Sequence, residues 1–479
     1  MTTATTVTTA TWRRAVTLRF TGSRGGQGPA TWGQRAIWRL IHRLGEADPF
    51  YNIPWTLPIA GRAGLGTVLD ALRTLVERHE ALRTTCEQTP AGLVQRVART
   101  GELTVGVFDA SGARPLTEAK RIAADLAAKT FDYGVDLPVR CAVVLEGDRP
   151  RAIAFGLSHL AVDGWALDLI AGECRALIFG DDLPEPSWQP LDQAAFEQGP
   201  RGAARGERSL RHWESLLRQG PLNLFDLPRV IPEEPRFVRL GMESAAAARA
   251  ARTLAERWSI STASVLTAAS VTLLATVTGH SDLNMQLVVS NRHIPRIGRM
   301  VGTAVQDGLV FFRLGGTTFG EVARRTHRQA LLGCRNAYYD PVAWDALRRR
   351  VGRERGGALD ISAYFNDTRP TGDWPDLPEG GPAVPAAPAR TFVVGAWRRV
   401  DATVVFSTGP ATHTGQFYLV TDTACVPRAT AEAMLRGLET LLIRAVIQDV
   451  PLEEVAALCG LGPLRRRPAA PLAAGKETR

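Results

Sequence analysis

With 479 residues, 45% of them apolar and 22% charged, the chain is long enough for two or three domains with full hydrophobic cores, which excludes a disordered or fibrous protein. Its net charge of +9 rests on arginine, since Lys120, Lys129 and Lys476 are the only lysines, and the arginines are dispersed with no recognition module among them, which sets nucleic acid aside. The six cysteines stand far apart, with no CxxC pair and no His at ligand spacing, so neither a metal site nor a disulfide framework is expected.

The amino terminus, MTTATTVTTATWRRAVTL, has no continuous apolar core ahead of a cleavage site and is not read as a secretory signal. A short strand, RAVTLRF, precedes the loop TGSRGGQGPA. Next, TWGQRAIWRLIHRLG repeats its apolar residues Trp32, Ile37, Trp38, Ile41 and Leu44 at helical intervals. After an extended segment, FYNIPWTLPIAG, a second helix is expected over GLGTVLDALRTLVERHEALRTTC, with Val68, Leu69, Leu72, Leu75 and Val76 on one face and RHEALRT closing it. The strands LVQRVA and LTVGVFD follow, then a helix from Leu116 to Lys129, then PVRCAVVL and RAIAFGLS joined by the turn EGDRP. GDDLPEPSWQPLDQ, rich in Pro and acid, marks the boundary between two lobes, placed at 12–185 and 186–462, with 463–479 as a disordered tail. The second lobe is expected to hold the helices RSLRHWESLLRQ, AAAARAARTLAERW and ATAEAMLRGLETLLIRAVIQD and the strands LNMQLVVSN, DGLVFFRL, LDISAYFND, ATVVFS and GQFYLVTD. The apolar stretch from Ala263 is too short and too rich in Ser and Thr to span a bilayer and reads as a core helix of a cytoplasmic protein with no membrane partner. Residues 369–390 read as a mobile surface loop.

The stretch SHLAVDGW, Ser158 to Trp165, is where chemistry is expected. A strand there is expected to hand over to a helix, so His159 and Asp163 fall in a short connection. Asp163 suits the N-cap of that helix, and Gly164 lets the backbone turn sharply and approach a ligand closely. The hairpin turn brings Arg140 opposite the last third of the next strand, where it either pairs with Asp163 or stands as an edge-strand charge in water. A His at the end of an apolar strand is itself either a catalytic group or a satisfied core residue.

TWGQRAIW with Tyr51 and Asn52, RHEALRT, SHLAVDGW and NRHIPRIGRMVGTAVQDGLVFFR, followed more loosely by YYDPV and ISAYFND, resemble in order the motifs of nonribosomal peptide synthetase condensation domains. These belong to the chloramphenicol acetyltransferase-like superfamily. The likeness runs from about Trp32 to the final helix. It implies an α/β fold of two chloramphenicol acetyltransferase-like lobes, each a mixed sheet with packed helices, arranged as a V around a central tunnel with His159 at its midpoint. The implied activity is an acyltransfer. An amine, or less commonly an alcohol, attacks a thioester carried on the phosphopantetheine of a carrier protein, and the protein itself binds no cofactor. The expected form is a free-standing monomer that meets its carrier in trans. His159 corresponds to the catalytic His of the HHxxxDG core, Asp163 and Arg140 would brace the loop, and the Gly164 N–H would steady the oxyanion. Two departures bear on this. Ser158 stands where the pattern has its first His, and Gln306 and Asp307, with Trp165 expected along the substrate tunnel, replace the usual Asn and small polar residue. A catalytically silent domain that recruits a carrier or partner enzyme, and an acyl-CoA-dependent acyltransferase, are the alternatives the resemblance leaves open.

Overall fold

A computed structural model describes residues 11–45, 48–110, 112–226, 229–315, 318–370, 372–378 and 389–464. The chain divides into two compact units. The first holds Met1–Glu207, Ser290–Gln306 and Tyr338–Pro341; the second holds Arg208–Val289, Asp307–Ala337 and the chain from Val342 onward.

The first unit comprises β1 (Thr11–Thr21), β2 (Gly26–Pro29), α1 (Trp32–Leu44), β3 (Asn52–Pro58), α2 (Leu65–Arg78), β4 (Thr84–Thr89), β5 (Gly92–Val97), β6 (Thr100–Asp109), α3 (Pro115–Ala127), β7 (Val139–Glu146), β8 (Arg149–Ser158), α4 (Gly164–Phe179) and α5 (Pro190–Gln198). Its main sheet runs β1-β6-β7-β8-β3, and a smaller one runs β2-β5-β4. Only β6 and β7 pair in parallel within the main sheet, because α3 supplies the crossover that parallel neighbours need. Strand alternation then sorts the side chains. Val139, Cys141, Val143, Ile153, Phe155 and Leu157 face one core with residues of α2 and α4, whereas Ala142, Val144, Ala152 and Ala154 face Ala119, Ile122 and Ala123 of α3. The α3 side is made of small residues, so the helix sits close. A Cβ on Gly156 would lie 2.7 Å from the Leu126 carbonyl carbon.

A long helix, α6 (Pro200–Leu217), leads into the second unit. There follow β9 (Phe237–Glu243), α7 (Ala245–Trp258), α8 (Thr262–Thr278), β10 (Asp282–Val289), β11 (Gln306–Arg313), α9 (Phe319–Arg335), α10 (Pro341–Glu354), β12 (Ala363–Asp367), β13 (Thr391–Trp397), β14 (Val404–Thr408), β15 (Gln416–Asp422), α11 (Arg428–Ile447) and α12 (Val455–Cys459). The seven-stranded order is β11-β10-β12-β14-β15-β9-β13. Helix α8, which begins at the apolar stretch read from Ala263, is buried nearly throughout in the core of this unit. Among the described residues no single helix is long and apolar enough to cross a membrane.

Four expectations change. The boundary lies at Glu207/Arg208 rather than 185/186, because residues 188–197 bond back into the first unit: Gln189 donates to the Arg78 carbonyl, Asp192 takes Arg24, and Glu197 takes the Trp32 amide. The crossing segment Ser290–Gln306, expected in the second lobe, likewise returns to the first unit. Helix α2 stops at Arg78, and RHEALRT continues as a 3-10 turn at Glu80–Arg83 and then β4. Its charges are interior: Arg83 donates to the carbonyls of Arg24 and Ala98 at 2.7 and 2.6 Å, and Glu80 accepts from Arg24 and from the Leu191 amide. Within 369–390, the loop is anchored where it is described. Trp374 is fully buried in the core and Arg369 stacks over its ring at 4.1 Å. Residues 371 and 379–388, and the tail from 465, lie outside the described residues.

Candidate functional site

The loop between β8 and α4 is held from its first residue to its last. Asn52 pairs with Ser158 in the β3–β8 register, and its side-chain amide donates to the carbonyls of Ala127 and Lys129, each at 2.9 Å. The Ser158 amide donates to the Pro138 carbonyl at 2.9 Å, and the His159 amide to the Tyr51 carbonyl at 3.0 Å. The Ser158 carbonyl accepts from Ala161 and Val162, while its hydroxyl accepts from the Leu160 amide at 3.2 Å. Ser158 is therefore a local cap, 1% exposed, with its one polar group turned into the loop. Leu160, Ala161 and Val162 bury their side chains, which leaves His159 half-buried on the other side of the turn.

The His159 ring meets Tyr51 edge-on at a centroid distance of 6.4 Å. Its Nδ1 is buried with no hydrogen-bond partner among the described residues. Burial pushes the imidazole pKa below its ordinary value, outweighing the nearby backbone of His159 and Val162 and the charge of Asp163, which favour the protonated ring. The ring is thus neutral at physiological pH and able to accept a proton.

Asp163 caps α4 as its residue type suggests, its Oδ1 accepting from the Ala166 amide at 2.9 Å. The same oxygen takes Arg292 Nη2 at 2.6 Å, and Oδ2 takes the Ala304 amide at 2.9 Å. Arg292 is itself buried. Its Nη1 donates to the carbonyls of Ile297 and Met300 at 2.8 and 2.6 Å, and its Nη2 also to that of Gly302 at 2.7 Å. The carboxylate takes donors on both of its oxygens, so it fastens the site loop to Ser290–Gln306.

Arg140 is not its partner. The expected register holds, Arg140 standing opposite Gly156, but alternation puts its side chain on the α3 face with Ala142 and Val144, away from the loop. There it donates to the carbonyls of Lys129 and Thr130 at 2.7 and 2.8 Å, pairs with Asp136 at 3.0 Å and lies 3.9 Å over the Phe131 ring. Arg292 was within a stretch legible as motif-like, yet nothing in its local sequence separates it from the arginines at 296 and 299. The available signal was energetic: a buried aspartate requires a buried cation.

Gly164 is the first residue of α4, exposed, with nothing within 4 Å of the place a Cβ would take and no left-handed backbone. Space in front of the helix end, and not a strained turn, is what it provides. As the first helical residue its N–H has no partner within the helix. Trp165 is 43% exposed and its indole donates to the Gly298 carbonyl at 3.0 Å, which adds a second tie from the loop to Ser290–Gln306. Gln306 is buried and doubly engaged with the Tyr339 backbone, donating at 2.9 Å and accepting at 3.2 Å, so it acts as a brace. Asp307 is half-buried on β11, in the second unit. Among the described residues no three His, Cys, Asp or Glu side chains are grouped to hold a metal.

A family model described as "Condensation domain" matches residues 26–347. Surfactin synthase subunit 1 of Bacillus subtilis (strain 168) is 26% identical over 300 residues, covering 61% of this chain and 8% of that protein, so the chain spans less than a tenth of that relative. Among solved structures, the condensation domain of the monacolin K polyketide synthase MokA superposes with a TM-score of 0.69 at 18% identity, covering 89% of this chain and 98% of that one. The X-domain in its complex with OxyB from teicoplanin biosynthesis gives 0.66 at 18% identity, covering 90% and 96%. At these identities the superpositions speak for a shared fold.

Proposed function

Because the chain belongs to the condensation-domain family, we propose that it joins an acyl or aminoacyl group, held as a thioester on a carrier protein's phosphopantetheine, to an amine acceptor, with an alcohol as the lesser alternative. The observation that carries this reading is His159: a half-buried, neutral imidazole on a loop fastened at both ends. An ammonium has no lone pair for attack, so a nearby neutral base that takes its proton permits the step. The amine nitrogen bonds to the thioester carbon, His159 accepts the proton the nitrogen sheds, the C–S bond breaks, and the proton passes to the departing thiolate. The Gly164 N–H, at the free end of α4, supplies a donor for the oxyanion that forms between those two events. Ser158, Asp163 and Arg292 hold the loop, and holding the two reactants together contributes at least as much as the proton transfer.

The test is turnover of acyl thioesters loaded on a holo carrier domain, with amino acids and small amines offered as acceptors. His159→Ala is expected to lower kcat by ~10²–10⁴-fold while the protein stays folded. Wild-type turnover in that variant would sink the proposal. Carrier binding with no product from the parent protein would favour a catalytically silent domain that recruits a carrier or partner enzyme. Saturable turnover of soluble acyl-CoA, independent of any carrier, would favour the acyl-CoA-dependent acyltransferase.

A further inference from the structure

The first unit contains a second buried carboxylate that the proposed chemistry does not use. Glu197, in the last turn of α5, is 4% exposed. Its Oε2 accepts from the Trp32 amide at 2.8 Å, and its Oε1 accepts from Gln193 Nε2 at 2.9 Å and from the Tyr338 hydroxyl. Gln193 Nε2 also donates to the Tyr338 hydroxyl oxygen at 2.9 Å, and Gln193 Oε1 accepts from the Trp188 indole at 2.9 Å. Every group bonded to Glu197 is a donor, and a carboxylate is the form that accepts from all of them.

The charged neighbours do not cancel that burial. Arg35 on α1 favours the ionised form but makes its ion pair with Asp340 at 3.4 Å. Arg205 on α6 acts on Tyr338 and on His293, whose pKa is lowered by burial first and by Arg205 second. Among the described residues Glu197 itself makes no ion pair. Burial pushes its carboxyl up to about 7, against the pull of Tyr338, Gln193, the Trp32 amide and Arg35. Burial likewise pushes the Tyr338 hydroxyl well above its ordinary range.

Tyr338 connects this cluster to the site. It packs in one buried group with Trp32, Ile294, Ile297, Met300 and Ala304. The Met300 carbonyl holds Arg292 and the Ala304 amide holds Asp163. A Cβ on Gly33 of α1 would collide with the Thr303 carbonyl, so the start of α1 is seated directly against the same segment.

We propose that Glu197 is a positioning residue with a proton switch: ionised, it gathers Trp32, Gln193 and Tyr338 and thereby seats Met300 and Ala304 against the Arg292–Asp163 pair. Protonated, it presents an O–H where the network already supplies donors, one of them loses its acceptor, and the hold on Tyr338 slackens. Only the activity readout of this coupling rests on the function proposed above.

Infrared difference spectra and amide exchange test it on the whole chain across neutral pH. The parent protein is expected to show a protonated-carboxyl band that disappears as pH rises through about 7, and Glu197→Gln to lack it. With intrinsic rates removed, the Ala304 amide should exchange about tenfold faster in Glu197→Gln, the equivalent of one hydrogen bond to a charged group. Tyr338→Phe keeps the carboxyl but removes a donor to its charged form, so the band's midpoint should move up in pH, a result available even if Glu197→Gln fails to fold. A band that survives in Glu197→Gln, a midpoint unmoved in Tyr338→Phe, or Ala304 exchange indifferent to the substitution overturns the proposal. In turnover, kcat should fall as Glu197 protonates while KM holds, and this dependence should vanish in Glu197→Gln. If spectra and exchange shift as described and the parent protein forms no product, it is the function above that fails and not this coupling.

Discussion

His159 and Asp163 stand four residues apart and play separate parts for a reason that lies in their partners. The imidazole belongs to a residue only partly buried and has a buried Nδ1 with no hydrogen-bond partner among the described residues, so the ring is not committed to holding the loop. The carboxylate has three donors around it and its chemistry is fully engaged in holding the loop. Substituting Asp163→Asn leaves the Arg292 guanidinium buried without a counter-charge, a change expected to lower unfolding stability by ~3–5 kcal/mol. Arg292→Ala should do the same from the other side. A double substitution that removes both charges is expected to be milder than the two single losses added together, since neither charge is then left alone. Urea unfolding of the four proteins measures this, and strict additivity would show that the pair is not the clamp described. Asp163 as an N-cap was legible from residue type and position. Arg292 was not, because the pairing spans 129 positions in the chain and local sequence ranks no arginine above its neighbours.

At the scale of elements, the β7–β8 hairpin was read in its true register and still misassigned the role of Arg140. Register says which residues stand opposite one another; the face is set by which alternate residues pack against α3. Arg140 ties the end of α3 and the turn beyond it, through three carbonyls, one carboxylate and the Phe131 ring. Arg140→Ala is therefore expected to destabilise the first unit by ~2–3 kcal/mol, about one hydrogen bond to a charged group left unmade, with kcat little changed. A collapse of kcat at unchanged stability would return Arg140 to the site. The helix expected to run on into RHEALRT breaks at His79, where the backbone turns extended. Its charges are interior because Arg24 and backbone groups from distant segments satisfy them.

For the molecule as a whole, stability should respond to pH in two opposite senses. Glu214 on α6 is held down to about 2 by Arg350 and Arg218, so the stability it lends is complete above the ordinary carboxylate value of 4.5 and is lost as pH falls from there toward about 2. Glu197 is raised to about 7, so its contribution is complete below 4.5 and is lost as pH rises through about 7. Denaturation midpoints measured from pH about 3 to about 8 should thus pass through a maximum, and Glu197→Gln should flatten the neutral side alone. A neutral limb identical in the two proteins would contradict the assignment of that carboxyl.

The sequence by itself determined most of the elements, the loop that carries His159 and the cap that Asp163 makes, because these follow from periodicity, residue type and spacing along a short stretch of chain, while the order of its motifs carried the resemblance to the fold family. Only the tertiary structure decided that Arg292 rather than Arg140 neutralises Asp163, that Ser158 and Gln306 serve as braces, that Trp374 closes a core from within an irregular loop, and that residues 290–306 and 338–341 return to the first unit. Buried polar groups choose their partners by proximity and desolvation, and both arise from how distant segments pack.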